Sequence, residues 1–241
     1  MIKHLSASEW FDAVQIQFNA VSNPEKASAM GAYMKNQFRF LGIPKPIRAV
    51  ETKKLFSLYG KPSLEILDQL VPMLWELPIR EYHYFAMECL FHQRKHFRES
   101  DINLFESLMN VHSWWDTVDF ISPNLSGFLC QKYPHLLIPT CERWNLDNHF
   151  WIRRASLIIQ LRYKQKTQTD LLFEMIRPLM HEKEFFIRKA IGWSLRELAK
   201  SQPEKVISFI ENSPISPLSK REALKHLKKN SLNISLLKTK M

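Results

Sequence analysis

The chain has 241 residues, 45% of them hydrophobic, and its 34 Lys and Arg outnumber 24 Asp and Glu to give a formal net charge of +10. That length can bury a sizeable core, and the charge balance favours a polyanionic partner over a cationic one, while no apolar run approaches the roughly 18 residues of a membrane span. Three scattered cysteines, Cys89, Cys130 and Cys141, show no metal-ligand spacing and exclude a disulfide scaffold, so buried thiols in a reducing compartment are expected.

Taken in chain order, the first segment, MIKHLSASEWFDAVQIQF, is amphipathic and carries Glu9 and Asp12. It reads as a helix and not as a signal peptide, which makes a cytosolic location the expectation. Beyond it, apolar residues recur at three- and four-residue intervals nearly throughout and only five glycines occur. This pattern predicts an all-α chain with short connections. The prolines of 24-PEKA, 62-PSLE, 134-PHLL and 203-PEKV suit first helical turns. No linker divides the chain, so a single domain over 1–241 of about six helical pairs is expected. The last stretch, 231-SLNISLLKTKM-241, has little periodicity and reads as a short final helix or a tail.

Four segments resemble one another: 81-EYHYFAMECL-90, 151-WIRRASLIIQ-160, 186-FIRKAIGWSL-195 and 217-PLSKREALKHL-227. Each runs polar or basic residues into an alanine, at 86, 155, 190 and 223, followed by apolar positions at helix period. The spacings of 69, 35 and 33 residues give a period near 35, and one period beyond Ala86 falls at the end of 113-SWWDTVDF-120. Two helices per unit at this period predict a HEAT-like helical repeat solenoid, an α-α superhelix with a concave basic groove. Alanine at the repeated position lets helices approach closely. The basic pairs Arg153 and Arg154, Arg188 and Lys189, and Lys220 and Arg221 precede that alanine. Stacked in register they form rows able to track phosphates, or else the ordinary solvated faces of amphipathic helices.

Within 113-SWWDTVDF-120, Trp115 and Asp119 are four residues apart and share a helix face, with Trp114 directed elsewhere. An indole with an aspartate one turn away is commonly core and cap. Convergence with Trp193, Arg154 and Tyr33 would instead make a site for developing positive charge, because ring faces and a carboxylate both attract a cation. Arginine beside it would hold phosphate. Cleavage of an N-glycosidic bond in DNA meets both demands, and an already cationic base needs no general acid to leave.

Over nearly its whole length the chain resembles the AlkD-type DNA glycosylases, HEAT-like repeat enzymes of bacterial alkylation repair. The resemblance is carried by 24-PEKASAMGAYMKNQFRFLGIPKP-46, 113-SWWDTVD-119, 151-WIRRASLIIQLRYKQK-166, 183-KEFFIRKAIGWSLRELAK-200 and 214-PISPLSKREALKH-226. It implies that Trp115 and Trp193 form aromatic walls at the damaged nucleotide's sugar, that Asp119 is the catalytic carboxylate, that Arg154 grips the backbone, and that Tyr33 belongs to the same cleft. It also implies excision of 7-methylguanine, 3-methyladenine and bulkier adducts from duplex DNA. No lysine stands out as an amine nucleophile, so a monofunctional hydrolase with water as acceptor is expected, without cofactor or metal.

Arg153, Arg188, Lys189, Lys220 and Arg221 are further phosphate candidates, as are Lys35 and Arg39 in the YMKNQF region. Trp151 suits either core or groove, Phe185 and Phe186 suit packing between repeats, and His112 suits a helix entrance more than a catalytic base. The expected partner is double-stranded DNA with alkylated bases, bound by a monomer that needs neither membrane nor protein partner. The competing reading is a non-catalytic repeat protein that binds duplex DNA or acidic protein partners. Asp119 separates the two, since a plain DNA scaffold has little use for a carboxylate facing phosphate.

Overall fold

The computed structural model describes residues 5–238, which form helices, turns and loops. Among them the one bridge of β type is an isolated pairing of Arg39 with Ile79. The fold is all-α, and the contacts divide it into two compact units, one ending at Phe97 and the other beginning at Arg98. No helix among the described residues is long and apolar enough to cross a membrane.

The first unit holds α1 (Ala7–Asn19), α2 (Pro24–Tyr33), α3 (Lys45–Tyr59), α4 (Leu64–Glu76) and α5 (Arg80–Gln93). A capping box starts α1: Ser6 Oγ accepts from the Glu9 N–H, and the Glu9 carboxylate accepts from the Ser6 N–H at 2.9 Å. Trp10, Val14 and Phe18 repeat at four-residue spacing on its inner face and are buried with Leu67, Leu70 and Leu74 of α4 and Phe85 of α5. The loop after α2 is fastened from below. The buried carboxylate of Glu81, on α5, accepts three backbone N–H groups, from Leu41, Gly42 and Ile43, at 2.9–3.0 Å. A buried anion thus gains the partners it needs, and the irregular loop gains a fixed course.

The second unit holds α6 (Asp101–Asn110), α7 (Trp115–Ile121), a wide π turn (Ser122–Ser126) leading into α8 (Gly127–Lys132), α9 (Leu137–Asn145), α10 (Phe150–Ile158), α11 (Thr169–Leu179), α12 (Phe185–Leu198), α13 (Pro203–Glu211) and α14 (Pro217–Lys238). Helix α10 packs on α7, α9 and α12, and α12 packs in turn on α14. The repeated alanines Ala155, Ala190 and Ala223, like Ala86 in the first unit, are completely buried. Serine hydroxyls tie neighbouring helices together: Ser122 donates to the Ala155 carbonyl at 2.8 Å, Ser194 to that of Leu157 at 2.6 Å, and Ser219 to that of Arg188 at 2.8 Å. At Gly192 a β-carbon would stand 2.5 Å from Glu222 Cβ and 2.8 Å from the Ser219 carbonyl oxygen, so only glycine lets α12 and α14 close to this distance.

One expectation from the sequence is corrected, that of the last stretch, and two prolines lie inside helices, Pro72 in α4 and Pro178 in α11. Both are on the exposed side, where water can satisfy the carbonyl that proline leaves unpaired, while the strong apolar stripe on the other side keeps each helix intact. Residues 231–238 continue α14 without a break, because no glycine or proline follows Pro217 to stop it. Residues 239–241 of that stretch lie outside the described residues. The three cysteines are free and buried, as expected, and burial raises all three thiols, that of Cys130 to about 12.

Glu222 joins α14 to α12. Its carboxylate, 7% exposed, meets Lys189 Nζ at 2.9 Å, Arg196 Nη1 at 3.0 Å and Lys225 Nζ at 2.7 Å. Burial pushes this carboxyl upward, but the hydrogen bonds and charges of Lys225 and Lys189 outweigh it and hold the pKa at about 2. A depressed carboxylate stabilises the fold above its unfolded pKa and ceases to as pH falls through the folded one. Glu222→Gln is therefore expected to cost roughly 3 kcal/mol in urea unfolding near neutrality. That gap should close as pH falls from about 4.5 toward about 2.

Candidate active site

The polypeptide enters α7 through a left-handed turn at His112, with φ 54°, followed by an extended Trp114. Trp114 anchors this entrance. Its indole lies 5.5 Å, centroid to centroid, from both Trp151 and Phe186, and its carbonyl accepts the N–H groups of Thr117 and Val118 at 3.2 and 3.1 Å. Trp151 is a core residue, Phe186 joins the same aromatic cluster at 4.7 Å from it, and Phe185 is half exposed at the edge. With Trp114 turned inward, Trp115 becomes the first residue of α7 and is half-buried, and Asp119 follows one turn later on the same face.

Asp119 is gripped by Arg154. Nε of Arg154 donates to Oδ1 and Nη2 donates to Oδ2, both at 2.8 Å, in a two-pronged ion pair between α10 and α7. The remaining nitrogen, Nη1, donates to the Phe186 carbonyl at the start of α12. The arginine side chain is 4% exposed and the aspartate 18%. Burial is the largest influence on the Asp119 carboxyl and pushes it above its ordinary value. Arg154 pulls it down by charge and hydrogen bond, and Asp116 adds a smaller upward push. The result is a desolvated carboxylate, fixed in direction, with a small face left to solvent.

Just beyond, Pro123 is the second residue of the π turn and lies four residues after Asp119, where a normal helix would place an N–H on the Asp119 carbonyl. The chain widens instead, and Gly127 N–H bonds to the Ser122 carbonyl. Pro123, in sequence, was the available sign of this irregularity.

Trp193 is half-buried on α12, with Lys189 one turn before it and Arg196 nearly one turn after. The basic pairs divide by register. Arg154 and Lys189, immediately before their alanines, are spent on Asp119 and Glu222. Arg153 is also engaged, with Glu182 at 3.0 Å and with the carbonyls of Asp147 and Asn148. Arg188 is half-buried, and Lys220 and Arg221 are exposed in the first turn of α14. Continuous rows of free cations are thus interrupted by internal pairing, which the spacing of basic residues alone cannot reveal. In the first unit, Tyr33 is 70% exposed at the end of α2, and Lys35 and Arg39 are exposed in the loop that Glu81 fastens. Lys35 and Asn36 hold left-handed φ values of 57° and 56° in that turn.

Stacked helices with a buried alanine at a repeated register, and an ion pair joining one repeat to the next, define a helical-repeat protein. The family model of the DNA alkylation repair enzymes matches residues 14–227, and the chain belongs to that family. A predicted DNA alkylation repair enzyme from Enterococcus faecalis is 35% identical and superimposes with a TM-score of 0.78, over 86% of this chain and 96% of that one. AlkD2 from Streptococcus mutans, at 14% identity, a TM-score of 0.61 and coverage of 91% and 98%, shares the fold. So does smu.31 from Streptococcus mutans UA159, at 16% identity, a TM-score of 0.57 and coverage of 73% and 91%. There is no match among curated proteins.

A buried pair of this geometry is coupled. Arg154→Met should destabilise the protein by about 3–5 kcal/mol, because it strands the Asp119 charge, and Asp119→Leu added to it should restore a large part. Urea unfolding of the two single variants and the double checks this; additive losses would mean the pair is not a unit.

Proposed function

We propose that the protein is a monofunctional DNA glycosylase that hydrolyses the N-glycosidic bond of cationic alkylated purines, among them 7-methylguanine and 3-methyladenine, in duplex DNA. The observation that carries this reading is the Asp119 carboxylate, aimed by the Arg154 fork and one helical turn from Trp115 on the same face. In the reaction the bond between C1′ and the base nitrogen breaks, and its electron pair neutralises the departing cationic base. The sugar becomes oxocarbenium-like. Asp119 and the ring faces of Trp115 and Trp193 stabilise that charge. Water then adds to C1′ and gives its proton to Asp119, so no amine nucleophile, cofactor or metal enters the scheme.

Arg154 acts in this scheme mainly on Asp119, given how its donors are spent, and its backbone-gripping role becomes the smaller part. The phosphate contacts fall to Arg188, Lys220 and Arg221, with Lys189 and Arg153 held more by the fold. Tyr33, Lys35 and Arg39 contribute from the first unit. Double-stranded DNA is the partner, the cytosol is the compartment, and the monomer suffices.

The test is release of 7-methylguanine from duplex DNA by the parent and by Asp119→Asn, with DNA binding measured for both. Release by the parent, a loss of about 100-fold or more in the variant and retained binding are expected. Binding without release from this or a 3-methyladenine substrate would leave a non-catalytic DNA-binding protein. Because burial raises the Asp119 carboxyl above its ordinary 3.8, and the ionised form is the working one, the rate should begin to fall on acidification at a higher pH than that value. A single-turnover pH profile tests this. Lys220→Ala and Arg221→Ala should each weaken binding across sequences and lower the salt slope by about 1, as titrations at several salt concentrations would register.

A further inference from the structure

The charge cluster at Glu222 uses other residues than the Asp119 and Arg154 pair, yet two of its cations share α12 with another residue of the proposed site. Lys189 and Arg196 stand four residues before and three after Trp193, so on a helix the two cations flank the indole on one face. Both are bonded to the same carboxylate, that of Glu222 on α14, at 2.9 and 3.0 Å, and Lys225 adds a third bond at 2.7 Å. The backbone beside Trp193 also lies close against α14, because a β-carbon at Gly192 would meet Glu222 Cβ at 2.5 Å and the Ser219 carbonyl oxygen at 2.8 Å. Without the carboxylate, two like charges would share one helix face and lose the bonds that hold them to α14.

We propose that Glu222 is a positioning residue for Trp193: by clamping Lys189 and Arg196 to α14 it fixes the indole on α12 and keeps both cations away from DNA phosphate. The proposal rests on the reading of Trp193 as a wall of the site. It carries an unusual signature, in which loosening the clamp frees positive charge for the DNA while it misplaces the aromatic wall. Affinity for duplex DNA is then kept or raised as base release slows.

The link can be read without activity. In protein labelled with 5-fluorotryptophan, the ¹⁹F signal of Trp193 is assigned by its loss in Trp193→Phe. In Glu222→Gln this signal is expected to shift and broaden, while those of Trp10 and Trp144, buried elsewhere, stay in place. An unchanged Trp193 signal overturns the proposal. Should Glu222→Gln not fold, Arg196→Gln removes one arm of the clamp from a half-buried position and must move the same signal; if it does not, the proposal fails. Single-turnover release of 7-methylguanine should fall about tenfold in Glu222→Gln and show no such fall when Trp193→Ala is already present. Equal losses in both backgrounds would assign Glu222 to stability alone. A parent that releases no base, with the Trp193 signal still moved by Glu222→Gln, would remove the glycosylase reading and leave the positional link standing.

Discussion

The fork of Arg154 on Asp119 is the interaction on which the second unit is organised. Desolvating a carboxylate is expensive, and it is tolerated here because a planar guanidinium supplies two parallel hydrogen bonds from the next repeat. The same guanidinium reaches the Phe186 carbonyl, so one side chain joins α7, α10 and α12. A lysine could supply charge but not the fork. Direction as well as charge is therefore built into the helix stack, and direction is what the role proposed for Asp119 at a sugar requires.

Close helix packing makes this arrangement possible. Ala155, Ala190 and Ala223 remove bulk where successive helices meet, Gly192 removes still more, and serine hydroxyls spend themselves on the neighbouring helix's carbonyls. The residues just before the alanines are then close enough to pair across the stack. Arg154 reaches back to Asp119, and Lys189 reaches forward to Glu222. The same repeat that brings cations into register thus also neutralises some of them. The cations left at the surface, Lys220 and Arg221, lie at the start of α14.

Much of this could be read in the sequence. The helical period, the alanine register and the shared face of Trp115 and Asp119 follow from spacing, since burying one face of a helix imposes a three- and four-residue rhythm, while the reading of that face as a site comes from the family resemblance. The partner of Asp119 was within reach too: Arg154 lies 35 residues on, one repeat period away. What spacing cannot give is the direction of a long side chain. Arg153, Arg154 and Lys189 all look like phosphate ligands in sequence, and only packing shows which ones meet a carboxylate or carbonyl first. Glu222 was hidden for the same reason, as one acid in a basic stretch. Pro72 and Pro178 stand inside helices because they face water, a property that depends on packing and not on the proline itself.

The most direct test of the account is single-turnover release of 7-methylguanine by Arg154→Lys, measured together with affinity for the damaged duplex. This substitution keeps the positive charge and removes the fork. If Arg154 works by aiming Asp119, release should fall by about 10- to 100-fold while affinity stays near that of the parent. A variant that releases base at the parent's rate, or that loses affinity in proportion to rate, would contradict the account and return Arg154 to the phosphate backbone.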